Sequence, residues 1–334
     1  MSTTTTTKSV LFNEFGDADK LYVGQVPIQL PKKGEVAVKV AAIGLNRAEV
    51  LYRTGKYLDR PASYPASLGY EAAGVVESVG EGVVNFKVGD RVAVLVNTQQ
   101  SRHPSNKVHA VFPENSLVHI DEGQSNVEAA SVWMAYLTAY FALVDISNLT
   151  AGQTIVITAA SSSTGLAAIQ LARALGATVI ATSRTSTKKQ RLLDFGAHHF
   201  IATGEEDVEQ RILELTNGVG ANLIYDPVGG PLVTKLVSAI ALRGTFVLYG
   251  LLSPEPTPFP ILQVMSKYIN FKGYILFEFT TDEAALTRAT TYLRQHFSKY
   301  QSIVGKVFKG IEATPAAHVY LDEKDLFGKV IVEF

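Results

Sequence analysis

The stretch "VITAASSSTGLAAIQLARALGA", residues 156–177, decides the fold of this 334-residue chain. It reads as an apolar strand, a turn of small residues and a helix that ends at Gly176, a residue typical of helix C-termini. A strand, tight turn and helix in this order can hold the pyrophosphate of a dinucleotide at the helix N-terminus. At the positions of the usual three glycines of G-x-G-x-x-G the chain has Ala160, Ser162 and Gly165.

Small residues can partly replace the missing glycines in this turn. A serine hydroxyl can donate a hydrogen bond to a phosphate oxygen, and the N–H groups of a helix that starts near Thr164 would still point at the anion. The predicted cofactor-binding residues of the turn are Ser161, Ser162, Ser163, Thr164 and Gly165. A serine-rich turn in an unrelated α/β fold is the alternative. A nucleophile elbow is excluded, because the first glycine of G-x-S-x-G is missing.

The next apolar run, "TVIATS", predicts a second strand at residues 178–183. NAD-binding proteins place an acidic residue after this strand, where it binds the ribose 2′-hydroxyl. Here Ser183 holds that place, and Arg184 and Lys188 add positive charge that suits a 2′-phosphate. The pattern favours NADPH, although a solvated basic helix start would look the same.

The chain divides into regions with two different sequence patterns. Residues 1–124 contain short β-type runs broken by Gly and Pro, which predicts a mainly antiparallel, barrel-like domain. From 125 to 278, long helical runs alternate with apolar strands, the βαβ rhythm of a doubly wound parallel sheet. Residues 279–334 are predicted to complete the first domain, with a helix near 283–297 and a final strand "GKVIVEF".

Composition excludes several classes of function. With 30 basic and 31 acidic residues in no blocks, nothing favours binding to nucleic acid or to an anionic membrane. The chain has no cysteine, so disulfides and thiolate zinc sites are excluded. The N-terminal "MSTTTTTKS" is expected to be a disordered tail rather than a signal peptide, which leaves the cytoplasm as the expected compartment. The apolar run at 127–144 is interrupted by polar residues and is predicted to be a buried helix.

Seven motifs occur in order and resemble the medium-chain dehydrogenase/reductase superfamily over nearly the whole chain. They are "GLNRAEVLYRTGKY", "LGYEAAGVVESVGEGV", "FKVGDRV", "LTAYFALV", "AASSSTGLAAIQLARALGA", "YDPVGG" and "FGKVIV". The resemblance implies a split GroES-like catalytic domain, a Rossmann domain inserted between its parts and a cofactor cleft between the two. The quinone oxidoreductase and enoyl reductase branches are more similar than the zinc alcohol dehydrogenases.

The difference from the zinc enzymes lies in three positions. The resemblance implies that the catalytic zinc would be bound by a Cys in "GLNR", a His in "GYE" and a third ligand near "WMAYLTAY". This chain has Asn46, Tyr70 and Met134 there, so no metal site is expected.

The resemblance also implies roles for single residues. By analogy with zinc-free enoyl reductases, Tyr57 is the candidate proton donor, with Tyr52 and Asn46 as neighbours that orient substrate or nicotinamide. Tyr52 is equally well explained as a packing aromatic. Further cofactor contacts are implied for residues at matching motif positions: Thr138, Tyr249, Gly250 and Lys329.

The leading functional hypothesis is therefore an NADPH-dependent, zinc-free reductase of quinones or α,β-unsaturated carbonyls. A metal-free carbonyl reductase or alcohol dehydrogenase and a non-catalytic NADPH-binding structural or sensing protein are the alternatives. The small-molecule substrate is expected to be electrophilic. The segment "GYILFEF" matches one that pairs across a two-fold axis in the family, which implies a homodimer.

Overall fold

The computed structural model describes residues 5–323 and 325–334, which divide into two compact units. The first unit falls within Met1–Met134 and Ser302–Phe334, and the second is Ala135–Gln301. Both boundaries lie further along the chain than the predicted 124/125 and 278/279. The second boundary moves because the helix at Glu283–Phe297 packs on the second unit, where Phe297 and Tyr136 have ring centroids 5.3 Å apart.

The strands are numbered in chain order. They are β1 (Thr6–Phe12), β2 (Tyr22–Pro27), β3 (Glu35–Leu45), β4 (Ala66–Ser67), β5 (Glu71–Val79), β6 (Arg91–Val94), β7 (His109–Pro113), β8 (Leu117–His119), β9 (Thr154–Ile157), β10 (Thr178–Ser183), β11 (His199–Ala202), β12 (Ala221–Asp226), β13 (Ile240–Leu248), β14 (Asn270–Gly273), β15 (Val304–Lys309) and β16 (Lys329–Glu333).

The α-helices are numbered in the same way. They are α1 (Arg47–Arg53), α2 (Asn126–Tyr140), α3 (Ser163–Ala174), α4 (Lys189–Asp194), α5 (Val208–Leu215), α6 (Leu232–Ser238), α7 (Ile261–Ser266), α8 (Phe277–Thr280), α9 (Glu283–Phe297) and α10 (Thr314–Asp322). Short 3₁₀ turns lie at Ala18–Lys20, Glu114–Ser116, Ser186–Lys188 and Ile311–Ala313, and a π-helical segment at Phe141–Ile146.

The first unit is mainly antiparallel, as predicted. Its larger sheet has the order β15-β16-β3-β5-β6-β8, and β7 also pairs with β3. All of these pairs are antiparallel except β15 with β16. The final strand β16 pairs with β3, so the C-terminal segment completes this unit as the sequence predicts. A smaller sheet has the order β2-β1-β4.

The second unit contains one fully parallel sheet of six strands in the order β11-β10-β9-β12-β13-β14. This order is that of the dinucleotide-binding doubly wound fold, so the predicted fold class is confirmed. The strand order reverses at β9, the strand that leads into the small-residue turn. Ligands of such sheets bind at the carboxyl end of the strands beside this reversal.

Two local predictions are wrong. The expected tail at residues 1–9 contains β1, which starts at Thr6 and pairs with β2, because β-branched threonines suit a paired strand; residues 1–4 lie outside the described residues. The strand expected across "INFKGYILFEF" ends at Gly273 and gives way to α8. In this helix, Phe279 stacks on Phe141 with ring centroids 4.8 Å apart.

The apolar run at 127–144 belongs to a continuous helical segment, Asn126–Ile146. By length and composition alone this segment could cross a membrane, but 78% of its most apolar window is buried inside the structure. It is therefore a core helix, as the sequence predicts.

Candidate functional site

The serine turn, Ser161–Gly165, joins β9 to α3 in the second unit. Ser162 caps the helix, and its hydroxyl oxygen accepts a hydrogen bond from Gly165 N at 3.1 Å. The sharp bend lies at Ala159, whose φ of 45° is in the left-handed region, one residue before the position that the motif indicates. Positive φ is uncommon for alanine, which explains why glycine is usual at this bend.

Position 165 requires glycine because the first turn of α3 lies against the backbone of the preceding turn. A Cβ at Gly165 would lie 2.6 Å from the carbonyl oxygen of Ala160, a distance that no side chain tolerates. At the first turn of α3 the backbone N–H groups of Ser163 and Thr164 have no acceptor within the helix. The serine turn therefore keeps the features that a phosphate needs: a close approach of helix and strand, and free donors at a helix N-terminus.

The basic residues after β10 lie beside this turn. Lys188 Nζ donates to the Ser161 hydroxyl oxygen at 3.4 Å, and Ser183 ends β10 with its own hydroxyl bonded to Thr185 O at 2.6 Å. Arg184 is exposed, and its guanidinium makes no hydrogen bond or ion pair within residues 5–323 and 325–334. The structure thus gathers the predicted serine, arginine and lysine at one end of the sheet.

The other residues predicted to bind cofactor in this unit differ in exposure. Thr138 lies in α2 and is 7% exposed. Tyr249 and Gly250 follow β13, and the Tyr249 ring stacks on Tyr225 of β12 with centroids 4.1 Å apart. The Tyr249 ring is therefore occupied by this stacking, and the Tyr249 N–H donates to Asp226 O at 3.0 Å.

Glu71 organises a buried polar cluster in the first unit, called the Glu71 cluster and consisting of Asn46, Glu49, Glu71 and Lys329. Glu71 Oε1 accepts a hydrogen bond from Met134 N at 2.8 Å, and its Oε2 accepts from Asn46 Nδ2 at 3.1 Å and forms an ion pair with Lys329 Nζ. Lys329 Nζ also donates to Asn46 Oδ1 at 2.6 Å.

The cluster changes the assignment of two predicted site residues. Lys329 is 1% exposed, so its ammonium is not free to bind a pyrophosphate. Asn46 uses Oδ1 for Lys329 and Nδ2 for Glu71 and Gly44 O, which leaves its carboxamide no polar group for substrate. Gly44 also makes room for the lysine, since a Cβ there would lie 2.8 Å from Lys329 Cε.

Glu49 is the fully buried carboxyl of this cluster. Its two oxygens accept from Asn46 N and from Asn106 Nδ2, both at 3.1 Å. Burial raises the pKa of Glu49 to about 7, despite these hydrogen bonds and the nearby Lys329 charge. His318 Nε2 lies 3.6 Å from Glu49 Oε2, and burial lowers the pKa of His318 to about 3.

Tyr52 and Tyr57 lie close together in the first unit but have different surroundings. Tyr52 is 1% exposed and packs edge-on against Phe12 with centroids 5.8 Å apart, so it is a core aromatic. Tyr57 is half-buried at the rim of the same apolar group. Its ring meets that of Tyr70 edge-on with centroids 6.3 Å apart, and burial raises the pKa of Tyr57.

Sequence reasoning missed Glu49, Glu71 and His318. A signal for the two acids was present, because carboxylates rarely occur in apolar stretches such as "GYEAAGVV" unless they are paired. Lys329, the partner of Glu71, lies 258 positions away in the sequence, so the pairing itself could not be predicted from local pattern. No group of three or more His, Cys, Asp or Glu side chains suited to a metal ion occurs within the described part of the chain.

Two family models match the chain. The alcohol dehydrogenase GroES-like domain covers residues 32–120, and the zinc-binding dehydrogenase model covers residues 163–291. The first falls within the antiparallel unit and the second within the parallel one.

Known proteins resemble the chain over most of its length. A quinone oxidoreductase of Pseudomonas aeruginosa is 36% identical over 244 residues, 73% of each chain, and a 2-haloacrylate reductase of a Burkholderia species is 27% identical over 97% of this chain and 98% of its own. The crystal structure of Escherichia coli quinone oxidoreductase complexed with NADPH superposes with a TM-score of 0.89 at 26% identity, covering 98% of this chain and all of that one. The chain is therefore an oxidoreductase of the medium-chain dehydrogenase/reductase superfamily and belongs to its quinone oxidoreductase-like branch.

Proposed function

We propose that this protein is an NADPH-dependent, zinc-independent reductase of quinones or α,β-unsaturated carbonyls. The observation that carries the proposal is the Glu71 cluster. Two of the three positions that match zinc ligands, Asn46 and Met134, donate to Glu71, and the cation paired with that carboxylate is Lys329. Without a Lewis acid, reduction of an activated C=C bond or a quinone needs less stabilisation of charge on the substrate oxygen than reduction of a simple ketone does.

The cofactor proposal rests on the second unit. The serine turn and the N-terminus of α3 would hold the pyrophosphate. The exposed guanidinium of Arg184, which makes no hydrogen bond or ion pair within the described residues, would meet the 2′-phosphate. Lys188, beside Ser161, would add a second positive charge. The NADPH complex of the E. coli relative supports this choice.

When bound, NADPH supplies the hydride for the β-carbon of the acceptor. The chain's own task is to provide the proton for the neighbouring carbon or oxygen, so that one hydride and one proton reduce one double bond. Tyr57 is suited to this task because its hydroxyl belongs to a half-buried ring at the edge of the first unit. Burial raises its pKa, which keeps the phenol protonated before the reaction.

The names of the relatives support the substrate class. Quinones and 2-haloacrylate, an α,β-unsaturated acid, are both conjugated electrophiles. Purified protein should oxidise NADPH in the presence of a quinone or an enone faster than in the presence of a saturated aldehyde. Fastest turnover with the aldehyde would instead support a metal-free carbonyl reductase, and no turnover with any acceptor would support a non-catalytic binding protein.

Zinc content tests the metal-independent part separately. Elemental analysis should find no stoichiometric zinc, and chelators should leave turnover unchanged. About one zinc per chain would refute this part of the proposal.

We also propose that the protein is a cytoplasmic homodimer formed through the edge of the parallel sheet. The edge strand β14 has a partner on one side only, β13, among the described strands. Large exposed apolar side chains concentrate in the same part of the chain: Leu251, Leu252, Phe259, Ile261, Leu262, Met265, Tyr268 and Ile275. Leu262→Glu should give monomers in sedimentation velocity, whereas Val84→Glu, equally exposed in the other unit, should not.

A further inference from the structure

Asp226 is a buried carboxyl group that the proposed reaction does not use. It ends β12, next to β9 in the middle of the parallel sheet, and is fully buried. Its Oδ1 accepts hydrogen bonds from the Thr158 hydroxyl and from Val228 N, the latter at 3.1 Å, and its Oδ2 accepts from Gly229 N at 2.9 Å. Asp226 therefore joins the end of β9 to the loop that follows β12.

Thr158 is the residue directly before the sharp bend that leads into the serine turn. Its hydroxyl donates to Asp226, and its backbone N–H donates to Tyr225 O at 3.1 Å. The bend itself lies at Ala159, where φ is 45°. Because positive φ is unfavourable for alanine, this conformation persists only where surrounding contacts hold it. The two hydrogen bonds of Thr158 are contacts of this kind on the β9 side of the bend.

The bend determines where the donors of the serine turn point. Ser162 N donates to Ala159 O at 2.9 Å, and the Ser162 hydroxyl oxygen caps α3 by accepting from Gly165 N. A rotation about φ of Ala159 would therefore move the cap and the N–H groups at the start of α3 together. Those N–H groups are the donors that a pyrophosphate needs.

We propose that Asp226 is a positioning residue that, through Thr158, holds the bend at Ala159 in the conformation that binds the pyrophosphate of the cofactor. This inference rests on the proposed binding of NADPH at the serine turn. The contact increases affinity because the turn has its binding conformation before the cofactor arrives. Without the contact, Ala159 would prefer negative φ, and the fraction of molecules ready to bind would fall.

Thr158→Val is the variant that isolates this contact. Valine keeps the size and β-branching of threonine but removes the hydroxyl, whereas a change of Asp226 would also release Val228 N and Gly229 N. The dissociation constant for NADPH, measured by isothermal titration calorimetry, should rise roughly fivefold to thirtyfold, which is the preference of a non-glycine residue for negative φ expressed as an affinity. Thr158→Ser keeps the hydroxyl and should bind NADPH as the wild type does.

The same change in an Ala159→Gly background tests whether the contact acts through the bend. Glycine adopts positive φ about as readily as negative φ, so Thr158→Val should then raise the dissociation constant only about twofold. Thr280→Val is the matched control and should leave NADPH binding unchanged, because the buried Thr280 hydroxyl of the same unit donates to Leu276 O at 3.3 Å, in α8. An equal rise in both backgrounds would overturn the proposal.

Hydrogen exchange separates this inference from the proposed function. In the cofactor-free protein, Thr158→Val should speed exchange of the Ser162 N–H, which is bonded to Ala159 O, more than Thr280→Val does. An unchanged Ser162 exchange rate would overturn the positioning role even if NADPH binds. Absence of NADPH binding by the wild-type protein would instead overturn the proposed cofactor, and the exchange rates alone would then decide whether Asp226 holds the turn.

Discussion

The Glu71 cluster in the first unit and the end of β10 in the second differ in how their charged groups are buried and paired. In the Glu71 cluster, Lys329 and Glu71 form an ion pair in which each side chain is 1% exposed. At the end of β10, Arg184 stands in solvent with no partner among the residues that the structure describes. A buried charge destabilises the fold unless it is paired, whereas an exposed cation without a partner costs little folding free energy.

This difference shows how to separate residues that hold the protein together from residues that meet a ligand. Removing a charge from the cluster should affect stability, and removing one from the end of β10 should affect binding. Tyr57 lies between the two cases, since it belongs to the unit with the cluster but is half-buried.

Tyr57→Phe should give the largest effect on rate. The chemical step is expected to slow roughly a hundredfold to ten-thousandfold, because a positioned acid is lost while the ring and its packing remain. Single-turnover hydride transfer at saturating enone measures this, and the free energy of unfolding should change little. A loss within about threefold would indicate that water supplies the proton and that Tyr57 only lines the substrate pocket.

Lys329→Met should give the largest effect on stability. It leaves Glu71 as a buried, unpaired carboxylate, which is expected to cost about 3 to 5 kcal/mol of unfolding free energy in urea titrations. Lys309→Met is the matched control, because Lys309 on the neighbouring strand β15 forms an exposed ion pair with Glu333. Its loss should cost about 1 kcal/mol or less. Similar losses for both variants would contradict the distinction between buried and exposed charge.

Arg184→Ala should affect one cofactor and not the other. The KM for NADPH is expected to rise on the order of tenfold to a hundredfold, since a hydrogen bond to a charged phosphate is lost, while the KM for NADH stays nearly the same. Lys189→Ala, an exposed cation at the start of α4, serves as the control. An equal rise in the KM for both cofactors would mean that Arg184 does not bind the 2′-phosphate.

Glu49 should give a slope of stability against pH. Its folded pKa of about 7 lies above its ordinary 4.5, so its protonated form favours the folded state, and that contribution is lost as the pH rises through 7. Lys329, Glu71 and His318 face the same group, and His318 acts in the opposite direction as the pH falls below its ordinary 6.5.

The comparison with Glu49→Gln isolates this slope. The difference in unfolding free energy between wild type and variant should fall by at most about 1.4 kcal/mol per pH unit between pH 4.5 and 7. Urea titrations across this range measure it. A difference that does not vary with pH would show that Glu49 is already ionised in the folded protein.

The sequence was sufficient where structure depends on neighbouring residues. The strand, turn and helix around Gly165 could be predicted because neighbouring residues determine them, and so could the final strand that completes the first unit. The partners of Asn46 and Lys329 could not, because both belong to a cluster built from segments far apart in the chain. The end of β14 was missed for a similar reason, since the stacking of Phe279 on Phe141 decides it.

Lys329 has a consequence for the engineering of this site. Its ammonium is part of the chain itself, so the partner of Glu71 does not have to be taken up from the cell as a metal ion would. Restoring zinc ligands at positions 46, 70 and 134 alone would bring a dication close to this ammonium, and the two like charges would repel each other in a poorly screened interior. Conversion toward a metalloenzyme would therefore have to begin with the removal of Lys329.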